Sequence, residues 1–135
     1  MQNFEFYNPT RILFGKGMIA RLDDQLSPTA RVLVLYGGAS AERSGTLAEV
    51  RAALGQRTFR EFGGIEANPT YETLMKAVAL VREEKLDFLL AVGGGSVMDG
   101  TKFVAAAVPY EGEPWDILVS KGEAAQKALP LGTVV

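Results

Sequence analysis

The sequence contains neither histidine nor cysteine. The absence of cysteine excludes disulfides, thiolate metal sites and a cysteine nucleophile. The absence of histidine excludes a histidine-based catalytic triad and any histidine-ligated metal within these 135 residues. An excess of charge of either sign is also missing: 14 Lys and Arg stand against 16 Asp and Glu, a net charge of −2. No general electrostatic pull toward nucleic acid or a membrane surface follows from that balance. No apolar run approaches the ~18 residues that span a bilayer. The opening Met1-Gln2-Asn3-Phe4-Glu5 lacks the basic stretch and apolar run of an export signal, which points to the cytoplasm. What is present is ordinary: 47% hydrophobic and 22% charged residues in a length that suits one folded domain.

The hydrophobic pattern alternates between strand and helix. Val32–Tyr36 is an unbroken apolar run ending in Gly37-Gly38, and Asp87–Val92, apolar after its first residue, is a second ending in Gly93-Gly94-Gly95-Ser96. Runs of this kind predict strands buried on both faces, as in parallel sheets. Thr58–Phe62 is shorter and more polar, which predicts a strand nearer an edge, and Gly63-Gly64 closes it. Leu129–Val135 predicts a further strand, so the chain reads as stopping within one and as the first piece of a longer polypeptide. Around and between these lie helical patterns over 17–26, 44–54, 69–85 and after residue 95 to about 108. Residues 4–15, with alternating Phe4 and Phe6, a turn at Asn8-Pro9 and Ile12-Leu13-Phe14, predict a small edge hairpin. Residues 109–126 are expected to be irregular. Strands alternating with helices imply an α/β fold with an open parallel sheet and right-handed crossovers.

Three predicted strands end in glycine clusters, and in an open parallel sheet ligands bind at the carboxyl ends of the strands. Glycine there lets backbone N–H groups come close to a phosphate, and a helix opening at that point adds unpaired N–H groups and a positive dipole end. Gly93-Gly94-Gly95-Ser96 fits best, because it joins a strong strand to a helix. The alternative is a plain strand-to-helix turn with Ser96 as N-cap and Asp99 as its capping-box partner. Two standard phosphate motifs fail here. The fingerprint G-x-G-x-x-G needs glycine where Met98 stands, and the P-loop needs Lys-Thr where Thr101-Lys102 has the reverse order.

The end of the first strand bears on cofactor choice. A site for NAD usually places an acid there to accept hydrogen bonds from the ribose 2′-OH. Tyr36-Gly37-Gly38-Ala39-Ser40 offers none. If this strand faces the adenosine ribose, Ser40, the amides of 37–40 and Arg43 would instead receive a 2′-phosphate, which favours NADP; the alternative is a plain turn that says nothing of the cofactor. Asn68-Pro69 reads locally as an N-cap followed by the first helical residue.

Pro9-Thr10-Arg11-Ile12-Leu13-Phe14-Gly15-Lys16-Gly17, Glu61–Ile65 leading to Asn68-Pro69, and Ala91–Lys102 together resemble the N-terminal part of the iron-containing (group III) alcohol dehydrogenases. The likeness is to their NADP-dependent aldehyde reductase and butanol dehydrogenase branch, and it runs through essentially the whole chain. The resemblance implies a dehydroquinate synthase-like α/β cofactor domain over residues 1–135, followed in the family by a helical domain that this chain lacks. It implies that Gly94, Gly95 and Ser96 wrap the cofactor pyrophosphate, that Gly37, Gly38 and Ser40 lie by the adenosine ribose and its 2′-phosphate, that Asn68 lies close to the cofactor, and that Asp99 points toward the nicotinamide ribose. It further implies a divalent metal, iron or zinc, held by Asp and His residues of the helical domain, and a homodimer formed through the N-terminal edge strand.

The expectation is therefore the NADP-binding half of an oxidoreductase acting on small alcohols and aldehydes, with no catalytic residue of its own and no turnover alone. Apolar surface made by Val97, Val104 and the 109–126 loop should lie exposed. Two alternatives stand beside it. One is a related enzyme of the dehydroquinate synthase, glycerol-1-phosphate dehydrogenase or maleylacetate reductase type. The other is a nucleotide-binding module without catalysis.

Overall fold

The computed structural model describes residues 2–135. Four strands, β1 (Arg31–Tyr36), β2 (Thr58–Phe62), β3 (Phe88–Val92) and β4 (Leu131–Val134), form one parallel sheet in the order β2-β1-β3-β4. A 3₁₀ turn (Met18–Arg21) runs into α1 (Leu22–Gln25) before β1. Then come α2 (Ser40–Arg43), α3 (Thr46–Leu54), α4 (Tyr71–Glu84), α5 (Gly95–Ala107) and α6 (Trp115–Val119). The α/β class and parallel sheet are those expected from the sequence, and β2 takes an edge as its polar composition indicates.

Why β1 is apolar throughout is plain from the two cores. Leu33, Leu35, Leu89 and Ala91 face one side and pack with Leu74, Val78 and Val81 of α4 and Val104 of α5. Val32, Val34, Leu90 and Val92 face the other side and pack with Leu47, Val50 and Leu54 of α3. Successive residues of a strand point to opposite faces, so a strand covered on both sides must be hydrophobic at every position. Each buried Leu or Val stabilises the sheet by roughly 1.5–3 kcal/mol of transfer free energy.

The strand order fixes where a site can lie. From β1 the chain crosses to β2 on one side, then back to β3 on the other. The carboxyl ends of β1 and β3 therefore diverge at a switch point, where open α/β sheets bind ligands. Tyr36 is in register with Val92, so Gly37 and Gly93 leave the sheet side by side.

Three expectations fail. Residues 2–14 contain no strand, and the side chains of Phe4, Phe6, Tyr7, Ile12 and Phe14 are exposed. A lone two-stranded hairpin is marginal without a third strand or a helix to cover its apolar face, and here neither packs on it. Val97 and Val104 are not exposed: they are buried beneath the α4–α5 contact. The 109–126 part of that expectation holds, since Trp115, Leu118 and Val119 are exposed. The 109–126 segment is also less irregular than its composition suggests, since α6 lies within it.

Candidate functional site

The two sides of the switch point are built differently. After β1, the carbonyl of Tyr36 accepts from the Ile65 N–H at 3.2 Å and that of Gly37 from the Gly64 N–H at 2.8 Å. A Cβ on Gly37 would stand 3.1 Å from the Ile65 carbonyl oxygen. The passing 64–65 backbone thus leaves little room for a side chain at 37. Gly38 has no such reason: it is exposed, and a Cβ there would meet nothing within 4 Å. Ser40 and Arg43, the ends of α2, are exposed, and neither side chain has a hydrogen-bond or ion-pair partner among the described residues.

After β3, Gly93 adopts φ +146°, and a Cβ on it would lie 3.1 Å from a Val97 methyl. That residue is glycine for the turn itself. Gly94 and Gly95 have no positive φ, lie exposed, and would each place a Cβ in open space. Gly94 is the N-cap of α5 and supplies no side-chain cap. The first helical amide bond runs from Met98 N–H to the Gly94 carbonyl at 3.1 Å. The N–H groups of Gly95, Ser96 and Val97 therefore find no acceptor among the described residues. Three unpaired donors at the positive end of a 13-residue helix, fronted by two unobstructed glycines, form a cradle for an anion.

Ser96 is not the N-cap, nor Asp99 its capping-box partner. Ser96 is the second helical residue, and its Oγ accepts from the Asn68 N–H at 3.4 Å. This bond brings Asn68 to the mouth of α5. Asn68 itself is not the N-cap of α4: it sits in the left-handed region at φ 54°, and Thr70 caps the helix by accepting from the Thr73 N–H at 3.2 Å. Glu66 in turn accepts from the Thr70 N–H at 2.9 Å. That bond holds the Glu66 carboxyl below its usual range. Gly94, Gly95, Ser96 and Asn68 thus meet at one corner, with Gly38 and Ser40 across the switch point.

Asp99 is exposed and turns toward a pocket of about 230 Å³ between α4, α5 and α6, walled by Pro69, Tyr71, Leu74, Gly100, Phe103 and Leu118. No local pattern in the sequence marks this apolar wall. Tyr71 stacks edge-on against Trp115 at 5.1 Å and Phe103 at 6.0 Å, and its hydroxyl donates to Glu113 at 3.0 Å. Burial, then the bond to Glu113, raises its pKa. The signal for this cluster was available only as one aromatic at the head of a helical stripe. Among the described residues, no group of three or more His, Cys, Asp or Glu is arranged to hold a metal ion. No helix of the described residues is long and apolar enough to cross a membrane.

The profile of the family "Iron-containing alcohol dehydrogenase" matches residues 9–135. The NADPH-dependent aldehyde reductase YqhD of Escherichia coli is 56% identical over 100% of this chain, which spans 35% of that protein's length. The probable NADH-dependent butanol dehydrogenase 1 of Bacillus subtilis is 47% identical, again over 100% of this chain and 35% of its own length. The cofactor-free crystal structure of the E. coli aldehyde reductase superposes with a TM-score of 0.94, covering 98% of this chain and 35% of that one. The NADH-dependent butanol dehydrogenase A of Thermotoga maritima gives 0.92 at 37% identity, covering 100% and 35%. The chain thus spans about a third of the length of these relatives.

Proposed function

The chain belongs to the iron-containing alcohol dehydrogenase family, and on that premise we propose that it is the dinucleotide-binding part of an NADP-dependent oxidoreductase interconverting small alcohols and aldehydes. One observation carries the reading. Gly94 and Gly95 stand before three unpaired amides with nothing of the protein in the space their Cβ atoms would fill. A diphosphate fits there, because its oxygens need donors and close backbone approach.

In this reading the amides of Gly95, Ser96 and Val97 bind the diphosphate, and Ser96 holds Asn68 beside it. Gly38 leaves room for the adenosine ribose, and Ser40 and Arg43 meet a 2′-phosphate. Asp99 stands on the nicotinamide-ribose side, at the rim of the apolar pocket. The bound dinucleotide carries the hydride that joins or leaves the carbon bearing the oxygen. A divalent iron or zinc does not fit the residues present, since no cluster of ligands exists among those described and histidine is absent. No step is therefore assigned to a metal within this chain, and we infer that the chain binds dinucleotide without turning over alcohol.

Fluorescence titration of the chain with NADPH and NADH tests this. NADPH is expected to bind at least about tenfold more tightly, a difference of ~1.4 kcal/mol. Absence of binding by either, or tighter binding of NADH, would overturn the proposal.

A further inference from the structure

We propose that Arg51 determines the preference for a dinucleotide bearing a 2′-phosphate, by occupying two carboxylates that would otherwise neutralise the cation at the end of β1. The proposal rests on the reading of that end as the adenosine ribose site.

Segment 37–43 carries one acid, Glu42, and one base, Arg43, side by side. The guanidinium of Arg51, on α3, meets Glu42 through Nη2 at 2.6 Å and Nη1 at 3.3 Å. The same group meets Glu61, on β2, through Nη2 at 2.7 Å and Nε at 3.2 Å. A planar fork suits two carboxylates at once, which a lysine ammonium cannot match. The guanidinium beside Glu42 holds that carboxyl below its usual range, so it stays ionised and stays engaged. Glu61 is the penultimate residue of β2 and lies opposite Val34 of β1, which brings a second acid to the same end of the sheet. Arg43 has no partner among the described residues, although an acid precedes it directly in the chain.

The charge count explains the arrangement. With Arg51 in place, two acids and two bases balance, and Arg43 is the one left unengaged. Without Arg51, two acids face a single base, and Glu42 is released within two residues of Ser40. A phosphate monoester near −2 at neutral pH feels that extra negative charge, whereas a ribose hydroxyl does not. Salt screens interactions between exposed charges, so the effect should shrink as salt rises.

The test compares NADPH and NADH dissociation constants for the chain and for Arg51→Gln, Arg51→Gln/Glu42→Gln and Glu42→Gln/Glu61→Gln, at low salt and at 0.5 M NaCl. Arg51→Gln is expected to weaken NADPH about fivefold at low salt while NADH changes less than about twofold, and the gap should close at high salt. The Arg51→Gln/Glu42→Gln chain restores the charge balance and is expected to return the NADPH-to-NADH ratio to that of the unaltered chain. Equal weakening of both dinucleotides would mean Arg51 only holds α2 in place, and would overturn the proposal. So would an unaltered ratio in Arg51→Gln, which leaves the NADP reading standing. A parent chain that does not prefer NADPH removes both. If circular dichroism shows that Arg51→Gln does not fold, Glu42→Gln/Glu61→Gln decides: NADPH binding at least as tight as in the parent supports the charge argument, and weaker binding refutes it.

Discussion

The ends of β2 and β3 look alike in the sequence, each a strand closing in consecutive glycines, yet they are glycine-rich for different reasons. Gly63 follows β2, and a Cβ on it would lie 2.6–2.8 Å from the ring and hydroxyl of Tyr36. That glycine makes room for a side chain of the protein. Gly64 follows with φ +82°, a turn conformation. Gly94 and Gly95, after β3, make room for nothing the chain itself contains. Glycine at the carboxyl end of a strand is therefore evidence of a ligand only where the protein leaves the space empty.

Three substitutions sharpen this contrast, the first through binding and the others through stability. Gly95→Val puts two methyl groups and a methine into the open cradle; NADPH affinity should fall on the order of 100-fold, the ~3 kcal/mol that overfilling a fitted space costs. Its melting temperature should barely move. The contrast breaks if Gly95→Val binds NADPH normally in the same titration. Gly93→Val forces a β-branched residue to φ +146° against Val97; a loss of about 2 kcal/mol is expected, read as a melting temperature lower by roughly 5–10 °C. Gly63→Ala should cost less, under about 1 kcal/mol, because the Tyr36 ring is half-exposed and can swing aside.

The smallest effect is electrostatic. Glu42 and Glu66 both have pKa values below their ordinary 4.5, the first through the Arg51 guanidinium and the second through the Thr70 N–H. A depressed carboxylate contributes stability that is present above its unfolded value and is lost as pH falls through the folded one. Thermal melts from pH 6 to pH 3 should therefore show a shallow decline that begins below about pH 4.5. Arg51→Gln should flatten the part due to Glu42 and leave the part due to Glu66. An unchanged profile in that variant would show that Glu42 has no favourable partner.

Much of this was legible in the residues. The apolar runs at 32–36 and 88–92, flanked by glycines, read as strands covered on both faces, and the apolar stripe Leu74, Ala77, Val78, Val81 reads as one buried helix face. The Gly93–Ser96 turn was legible because a strong strand and a strong helix flank it. The N-terminal hairpin was misread because alternation in Phe4 and Phe6 says that a strand is possible, not that a partner exists. The capping roles of Asn68 and Ser96 were misread because several residues within three positions had the right chemistry. At α4 Thr70 has the extended backbone of a cap while Asn68 is left-handed, and that depends on how the 65–70 turn closes.

The sequence alone determined the class of fold, the identity of its strands and the absence of any histidine or cysteine chemistry, because periodicity and composition are properties of the chain itself. Tertiary structure decided which glycines face open space and which face the protein, that Asn68 meets Ser96 across 28 positions, and that one guanidinium joins Glu42 to Glu61. Those outcomes depend on strand order and register, which bring distant residues within a few ångströms and which no local pattern encodes.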